Sequence, residues 1–217
     1  MRREYVYKGF ERFWHWSQAA LILFLALTGF EIHGSLSFFG FEQAVAYHSA
    51  AALTLLVLVA FAIFWHLTTG EWRQYVPTLE NLREQALYYA SGIFRGAPHP
   101  TRKSAARKLN PLQRLVYLGL KVLVIPVVAT TGVLYLLYRY PQRHGIEALN
   151  VRGLEAIAVL HTAGAFFLVA FLVGHVYLIT TGHTLSSNLK AMITGWEDLE
   201  PEPEPQPFDS AEEEKAA

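Results

Sequence analysis

In 217 residues, 53% are hydrophobic and only 17% charged, and the apolar residues are gathered into a few unbroken blocks, which excludes an ordinary soluble globular domain. Lys plus Arg and Asp plus Glu both total 18, so no basic excess points to nucleic acid, and the placement of the charges carries the information instead. There is no cysteine, which excludes disulfides, Cys-ligated iron–sulfur clusters and thioether-attached haem.

The N-terminal stretch MRREYVYKGFERFWHW is basic but runs straight into an apolar block without a small-residue cleavage site, and it reads as the approach to a first span, not as a cleaved leader. No Asp, Glu, Lys or Arg occurs between Arg12 and Glu31, between Glu42 and Glu71, between Lys121 and Arg139, or between Glu155 and Lys190. Each gap accommodates a helix of about 20 residues crossing the hydrocarbon layer, the third provided that Lys121 snorkels. The expected fold is all-α, an integral membrane four-helix transmembrane bundle.

Arg2, Arg3, Lys8 and Arg12 precede span one, and Arg73, Arg83, Arg95, Arg102, Lys103, Arg107, Lys108 and Arg114 lie between spans two and three. The connection from Gly34 to Gln43 has no basic residue, and that from Arg139 to Arg152 has three. The positive-inside rule therefore puts both termini in the cytoplasm. The long connection from about Gly70 to Asn110 holds Trp72, Tyr75, Tyr88 and Tyr89, so part of it is expected to lie on the membrane as an interfacial helix. Residues 1–195 form the four-span domain. Residues 196–217, EDLEPEPEPQPFDSAEEEKAA after Trp196, read as a disordered acidic, Pro- and Glu-rich cytoplasmic tail. No internal repeat is evident.

Four histidines stand inside these spans or at their rims. His161 and His175 are 14 residues apart on span four, a rise of roughly 21 Å at nearly the same helical face. With cytoplasmic termini, His161 lies at the outer level and His175 at the inner one. His15 opens span one at the inner level, and His48 opens span two at the outer level. Depth therefore pairs His15 with His175 and His48 with His161. An imidazole in hydrocarbon is costly unless its nitrogens are used, and paired imidazoles at two levels suit two haem b groups with both axial positions filled, a device for moving electrons. Isolated, each histidine would pass for a satisfied core residue.

These segments resemble the membrane cytochrome b subunits of bacterial respiratory complexes: the gamma subunit of formate dehydrogenase, the thiosulfate reductase cytochrome b subunit and the b-type cytochrome of nickel–iron hydrogenases. The resemblance rests on Arg12-Phe13-Trp14-His15-Trp16, His48, Trp65-His66 with Gly70-Glu71-Trp72, Tyr75 and Pro77, Asn110-Pro111-Leu112-Gln113-Arg114, and the run from His161 through His175 to Gly195. It implies ligands from spans one, two and four, the pairing that depth gives. It also implies exchange of electrons with menaquinone or ubiquinone beside the inner haem, at a site touching Asn110 and His175. Where formate dehydrogenase has Gly two positions after that Asn, this chain has Leu112.

Arg12 and Arg114 lie at the inner edge, where haem propionates would emerge and a guanidinium could grip them, although either could equally be a topogenic charge. Gly29, Gly132 and Gly164 could admit a macrocycle or a neighbouring helix. His66 falls five turns after His48 and could compete with His15 or pair with His183, but both rings are expected to reach interfacial water or headgroups. His33, His99 and His144 fall in connections and read as exposed.

The expected function is a dihaem membrane cytochrome b of the bacterial cytoplasmic (inner) membrane, passing electrons between the quinone pool and a redox subunit at the outer, periplasmic face. That partner would be a multihaem cytochrome c, an iron–sulfur protein or a molybdenum protein, and the final substrate chemistry belongs to it. One alternative is a self-contained b561-type quinol or superoxide oxidoreductase. The other is a non-redox membrane anchor or proton channel.

Overall fold

In the computed structural model, residues 2–101, 103, 104, 107–144 and 151–199 are described. Strand β1 is Arg2–Tyr5, and helices α1 (Gly9–Ile32) and α2 (Phe41–Thr69) follow as an antiparallel pair. A 3-10 turn at Glu71–Tyr75 leads to α3 (Leu82–Leu87), which continues through wider and tighter turns as far as Arg95. Helix α4 (Pro111–Gly119) passes through a π-helical turn at Leu120–Val124 into α5 (Ile125–His144); α6 (Val151–Ile179), α7 (Ser187–Thr194) and strand β2 (Trp196–Leu199) complete the chain.

Among the described residues, four segments are long and apolar enough to cross a membrane: Gly9–Ile32, Phe41–Thr69, Pro111–Leu137 and Leu154–Ile179. The packing is most extensive within two hairpins, α1 on α2 and α5 on α6. Along α2 the buried apolar positions are Ala44, Ala51 and Ala62, spaced by whole numbers of turns, so small side chains form the seam. Leu23, Val57, Phe61, Phe167 and Val173 point outward, as a bundle solvated by lipid requires.

Local chemistry sets the ends of these helices. Helix α1 stops at Gly34, in the left-handed region at φ 75°, with the Gly34 and Ser35 amides returning to the carbonyls of Glu31 and Phe30. The buried Glu31 carboxylate then accepts the amides of Phe38, Phe39 and Gly40 at 2.9, 2.6 and 2.7 Å, which shapes the short turn into α2. Asn110 and Gln113 form a reciprocal capping box with Pro111 at the first helical position of α4. Pro126 has no amide to give the preceding turn, and the backbone widens just before it. The third span thus begins at Pro111, ten residues earlier than the charge gap suggests. Lys121 lies within it, its ammonium 3.1 Å from the centre of the Tyr75 ring and 5.4 Å from that of Trp14, so aromatic faces replace the snorkelling that the sequence calls for.

The first and last described segments meet. Strand β1 pairs antiparallel with β2 from Arg2 with Leu199 to Tyr5 with Trp196, and the Val6 and Tyr7 amides donate to the Gly195 carbonyl. Gly195 sits at φ 87°, where a side chain would be strained and a Cβ would meet Tyr5 at 2.5 Å. Residues 196–199 thus find a strand partner in residues 2–5. The rest of the acidic tail, 200–217, lies outside the described residues, as do Arg102 and the side chains of residues 138–153, which include His144. Helix α5 continues to His144, so that histidine belongs to a helix and not to a connection.

A cluster of charges ties further segments together. Lys108, nearly buried, donates to Glu11 at 2.7 and 2.9 Å and to Glu71 at 3.2 Å, while Lys8 donates to Glu71 at 2.6 Å. The start of α1, the exit of α2 and the approach to α4 are thereby pinned. Burial alone would raise the Glu71 carboxyl, but hydrogen bonds and charge from Lys8 and Lys108 outweigh it and hold its pKa below the ordinary 4.5. Its stabilising effect is present above that value and is lost as pH falls through the depressed folded value. We expect the difference in melting temperature between the wild type and Glu71→Gln to be constant from neutral pH to about pH 5 and to vanish on further acidification. A difference that instead grew in acid would contradict the ion-pair origin.

Nearby, Lys103 donates to the Tyr7 hydroxyl at 2.7 Å and to Glu197 at 2.9 Å, linking the long connection to β2. Burial pulls its pKa down, and Tyr7 and Glu197 together more than reverse this, so it stays raised.

Candidate functional site

The two ring pairs expected from depth are neighbours in space. His48 on α2 and His161 on α6 have ring centroids 6.3 Å apart at 68° between planes, and His15 on α1 and His175 on α6 lie 6.1 Å apart at 53°. Helix α6 is continuous, so the 14 residues from His161 to His175 separate the two levels by roughly 21 Å.

At the level far from the termini, each ring is backed by a Thr-Gly dipeptide on the partner helix of its own hairpin. The His48 Nδ1 lies 2.9 Å from the Thr28 hydroxyl, and the His161 Nδ1 lies 3.0 Å from the Thr131 hydroxyl and 3.1 Å from the Val128 carbonyl. A Cβ at Gly29 would meet the His48 ring at 3.6 Å, and one at Gly132 would meet the His161 ring at 3.2 Å. Gly164 faces Val128 instead, a contact between α6 and α5. Sequence reasoning singled out the glycines and missed both threonines. The signal is a Thr-Gly dipeptide lying wholly within a span, once in each hairpin.

The level near the termini is built differently. His15 Nδ1, Trp14 Nε1 and Arg12 Nε are buried without a hydrogen-bond partner. Phe171 stacks on His175 at 5.7 Å and 16°. Beside Phe171 an apolar groove of about 350 Å³ runs between the third and fourth spans, lined by Val116, Gly119, Leu120, Phe167 and Phe171. Arg12 donates to the Ile193 carbonyl at 2.6 Å, and Arg114 to the Leu109 carbonyl at 3.2 Å, so both guanidiniums stand at this edge with part of their capacity used by backbone. Asn110 caps α4 and donates to the Tyr89 hydroxyl at 2.9 Å, leaving one amide hydrogen and one lone pair uncommitted.

His66 does not reach water or headgroups as the sequence suggests. It is only 8% exposed, packed against Trp14 and Trp65, with Nδ1 donating to the Ala62 carbonyl at 2.6 Å and Nε2 3.3 Å from the Tyr75 hydroxyl. Both ring nitrogens are used, which makes it a satisfied core histidine. His33, His99 and His183 are exposed.

Haem iron brings four ligands of its own and asks only two of the protein. Among the described residues no group of three or more His, Asp or Glu side chains converges as a bare metal ion would require. Metal–imidazole bonds of about 2 Å, with each nitrogen roughly 1 Å from its ring centre, put the centroids of two axial rings roughly 6 Å apart. The observed 6.1 and 6.3 Å fit that separation. The unpartnered donors at Arg12, Trp14 and His15 fit a group that brings its own acceptors.

The family model described as prokaryotic cytochrome b561 matches residues 6–195, nearly the whole described chain. The chain belongs to the prokaryotic cytochrome b561 family. It is thus a multi-pass membrane cytochrome of the haem b-binding, electron-transporting kind. The cytochrome is also 31% identical over 197 residues to "Putative cytochrome YdhU" of Escherichia coli (strain K12), an alignment covering 88% of this chain and 74% of that one. No solved structure matches it.

When bound, haem b supplies one-electron chemistry at iron. The residues of the cytochrome do the rest. His15 with His175 and His48 with His161 are the ring pairs that would hold such groups, and the hydroxyls of Thr28 and Thr131 meet the rings of His48 and His161.

Proposed function

We propose that this cytochrome holds two haem b groups, one between His48 and His161 and one between His15 and His175, and moves electrons across a bacterial inner membrane. The observation that carries this reading is the pair of facing imidazoles at each of two levels on one continuous helix. With both axial positions taken, neither iron offers an open site for bond-making chemistry, so the substrate chemistry falls to a redox partner at the outer face: a multihaem cytochrome c, an iron–sulfur protein or a molybdenum protein. The basic residues of the N-terminus and the long connection support a cytoplasmic location for the terminal side.

At that side we place exchange with menaquinone or ubiquinone. The uncommitted amide hydrogen of Asn110 and the apolar groove ending at Phe171, on which His175 stacks, support it. Arg12 and Arg114 are proposed to meet haem propionates, a role that the unpartnered Nε of Arg12 supports.

The test is rapid mixing of the purified cytochrome with menaquinol or ubiquinol analogues while haem absorbance is followed. Reduction by a quinol, or oxidation of the dithionite-reduced protein by a quinone, is expected. Haem that responds to dithionite but to neither quinone couple would contradict the reading. The family match also suits a self-contained b561-type oxidoreductase acting on quinol or superoxide, and consumption of superoxide by the isolated chain would favour that alternative.

A further inference from the structure

We propose that Thr28 and Thr131 are positioning residues that fix the proton of His48 and His161 on Nδ1 and thereby lower the reduction potential of the outer haem; this rests on the dihaem reading. The inference starts from where each hydroxyl hydrogen goes. Thr28 donates to the Phe24 carbonyl at 2.9 Å and Thr131 to the Val127 carbonyl at 2.6 Å, four residues back in each case. A hydroxyl whose only hydrogen is spent on its own helix can meet a neighbouring imidazole only as an acceptor.

A second contact fixes the same tautomer. The Val128 carbonyl, 3.1 Å from His161 Nδ1, cannot donate, so that nitrogen carries the hydrogen. Val128 is three residues before Thr131. The Leu25 carbonyl, three residues before Thr28, accepts a second contact from its threonine at 3.2 Å, as the Val128 carbonyl does from Thr131 at 3.1 Å. Acceptor carbonyl, threonine and glycine thus recur in the same order in both hairpins. Both rings are left with the Nε2 lone pair free to bind iron.

A ring that donates its Nδ1 hydrogen gains negative character and becomes a stronger ligand, which favours ferric over ferrous iron. At the other level, His15 Nδ1 has no hydrogen-bond partner. The inner haem therefore serves as an internal control.

The experiment is an optical and electron-paramagnetic-resonance redox titration of the purified holoprotein, with the outer wave identified by its loss in His161→Ala. Valine matches threonine in shape without the hydroxyl, and serine keeps the hydroxyl. In the double variant Thr28→Val/Thr131→Val we expect both haems to be retained and the ferrous-to-ferric ratio of the outer haem to rise about tenfold at fixed potential, ~59 mV for one electron. The outer ferric low-spin signal should move while the inner one does not, and Thr28→Ser/Thr131→Ser should restore the wild-type wave. If the valine variant loses the outer haem and the serine variant keeps it, the hydroxyl is again what positions the ligands.

An outer wave unchanged in the valine variant, or equal loss of haem in the valine and serine variants, would overturn the inference. Wild-type protein with fewer than two haems, or an unaltered titration in His161→Ala, would instead overturn the dihaem reading beneath it.

Discussion

Purified His161→Ala is expected to hold about half the haem of the wild type and to lack the outer component of the reduced-minus-oxidised spectrum, and His175→Ala the same half with the inner component missing. The expectation follows from geometry. Each ring has one partner, with ring centroids 6.3 Å apart in the outer pair and 6.1 Å apart in the inner one. Roughly 21 Å of continuous helix separates the two, so loss of one site should leave the other intact. His66→Ala provides the contrast. Its nitrogens are taken by Ala62 and Tyr75, and its removal should leave haem content unchanged. Pyridine haemochrome assays of these three variants and of His15→Ala check all of this, and loss of haem in His66→Ala with full content in His15→Ala would mean that the inner pair has been assigned wrongly.

The largest effect on stability is expected from Lys108→Met. The Lys108 ammonium is the common partner of Glu11 and Glu71, and its side chain is 6% exposed. Without it Glu11 and Glu71 lose their common cation, and among the described residues Lys8 remains as the side-chain donor to Glu71. Removing one member of a buried ion cluster costs about 3 kcal/mol. For a chain of this size that corresponds to a melting temperature lower by roughly 6–12 °C. Lys108→Arg keeps the charge and should recover most of the loss. A melting temperature in detergent unchanged by Lys108→Met would show that the cluster is not a fastening.

Much of this architecture can be read from the sequence because lipid imposes severe rules. Charge gaps mark the spans, since an unpaired charge in hydrocarbon is costly, and the helical repeat puts His161 and His175 on one face. Where those rules relax, the sequence says less. Lys121 marks the wrong start for the third span because the aromatic faces of Tyr75 and Trp14, remote in sequence, receive its charge. RREY and WEDL are too short and too charged to announce a strand, and they become one only because the two segments converge at Gly195. His66 reads as interfacial because its enclosure by Trp14, Trp65 and Tyr75 is a tertiary fact.

Thr28 and Thr131 escape notice for a different reason. A threonine bonded to the carbonyl four residues back is an ordinary occupant of an apolar helix, and only the approach of an imidazole from the neighbouring helix gives its oxygen a second task. The likeness of the two hairpins is confined to a carbonyl, a hydroxyl and a missing side chain, too little to register as a repeat in the sequence.

The measurement that bears most directly on the central claim is the haem and iron stoichiometry of the purified wild-type chain, combined with the spin state of its ferric form. Two haem b groups per polypeptide, both six-coordinate and low-spin, are predicted. One or none, or a high-spin iron with an open axial position, would contradict the paired-imidazole account.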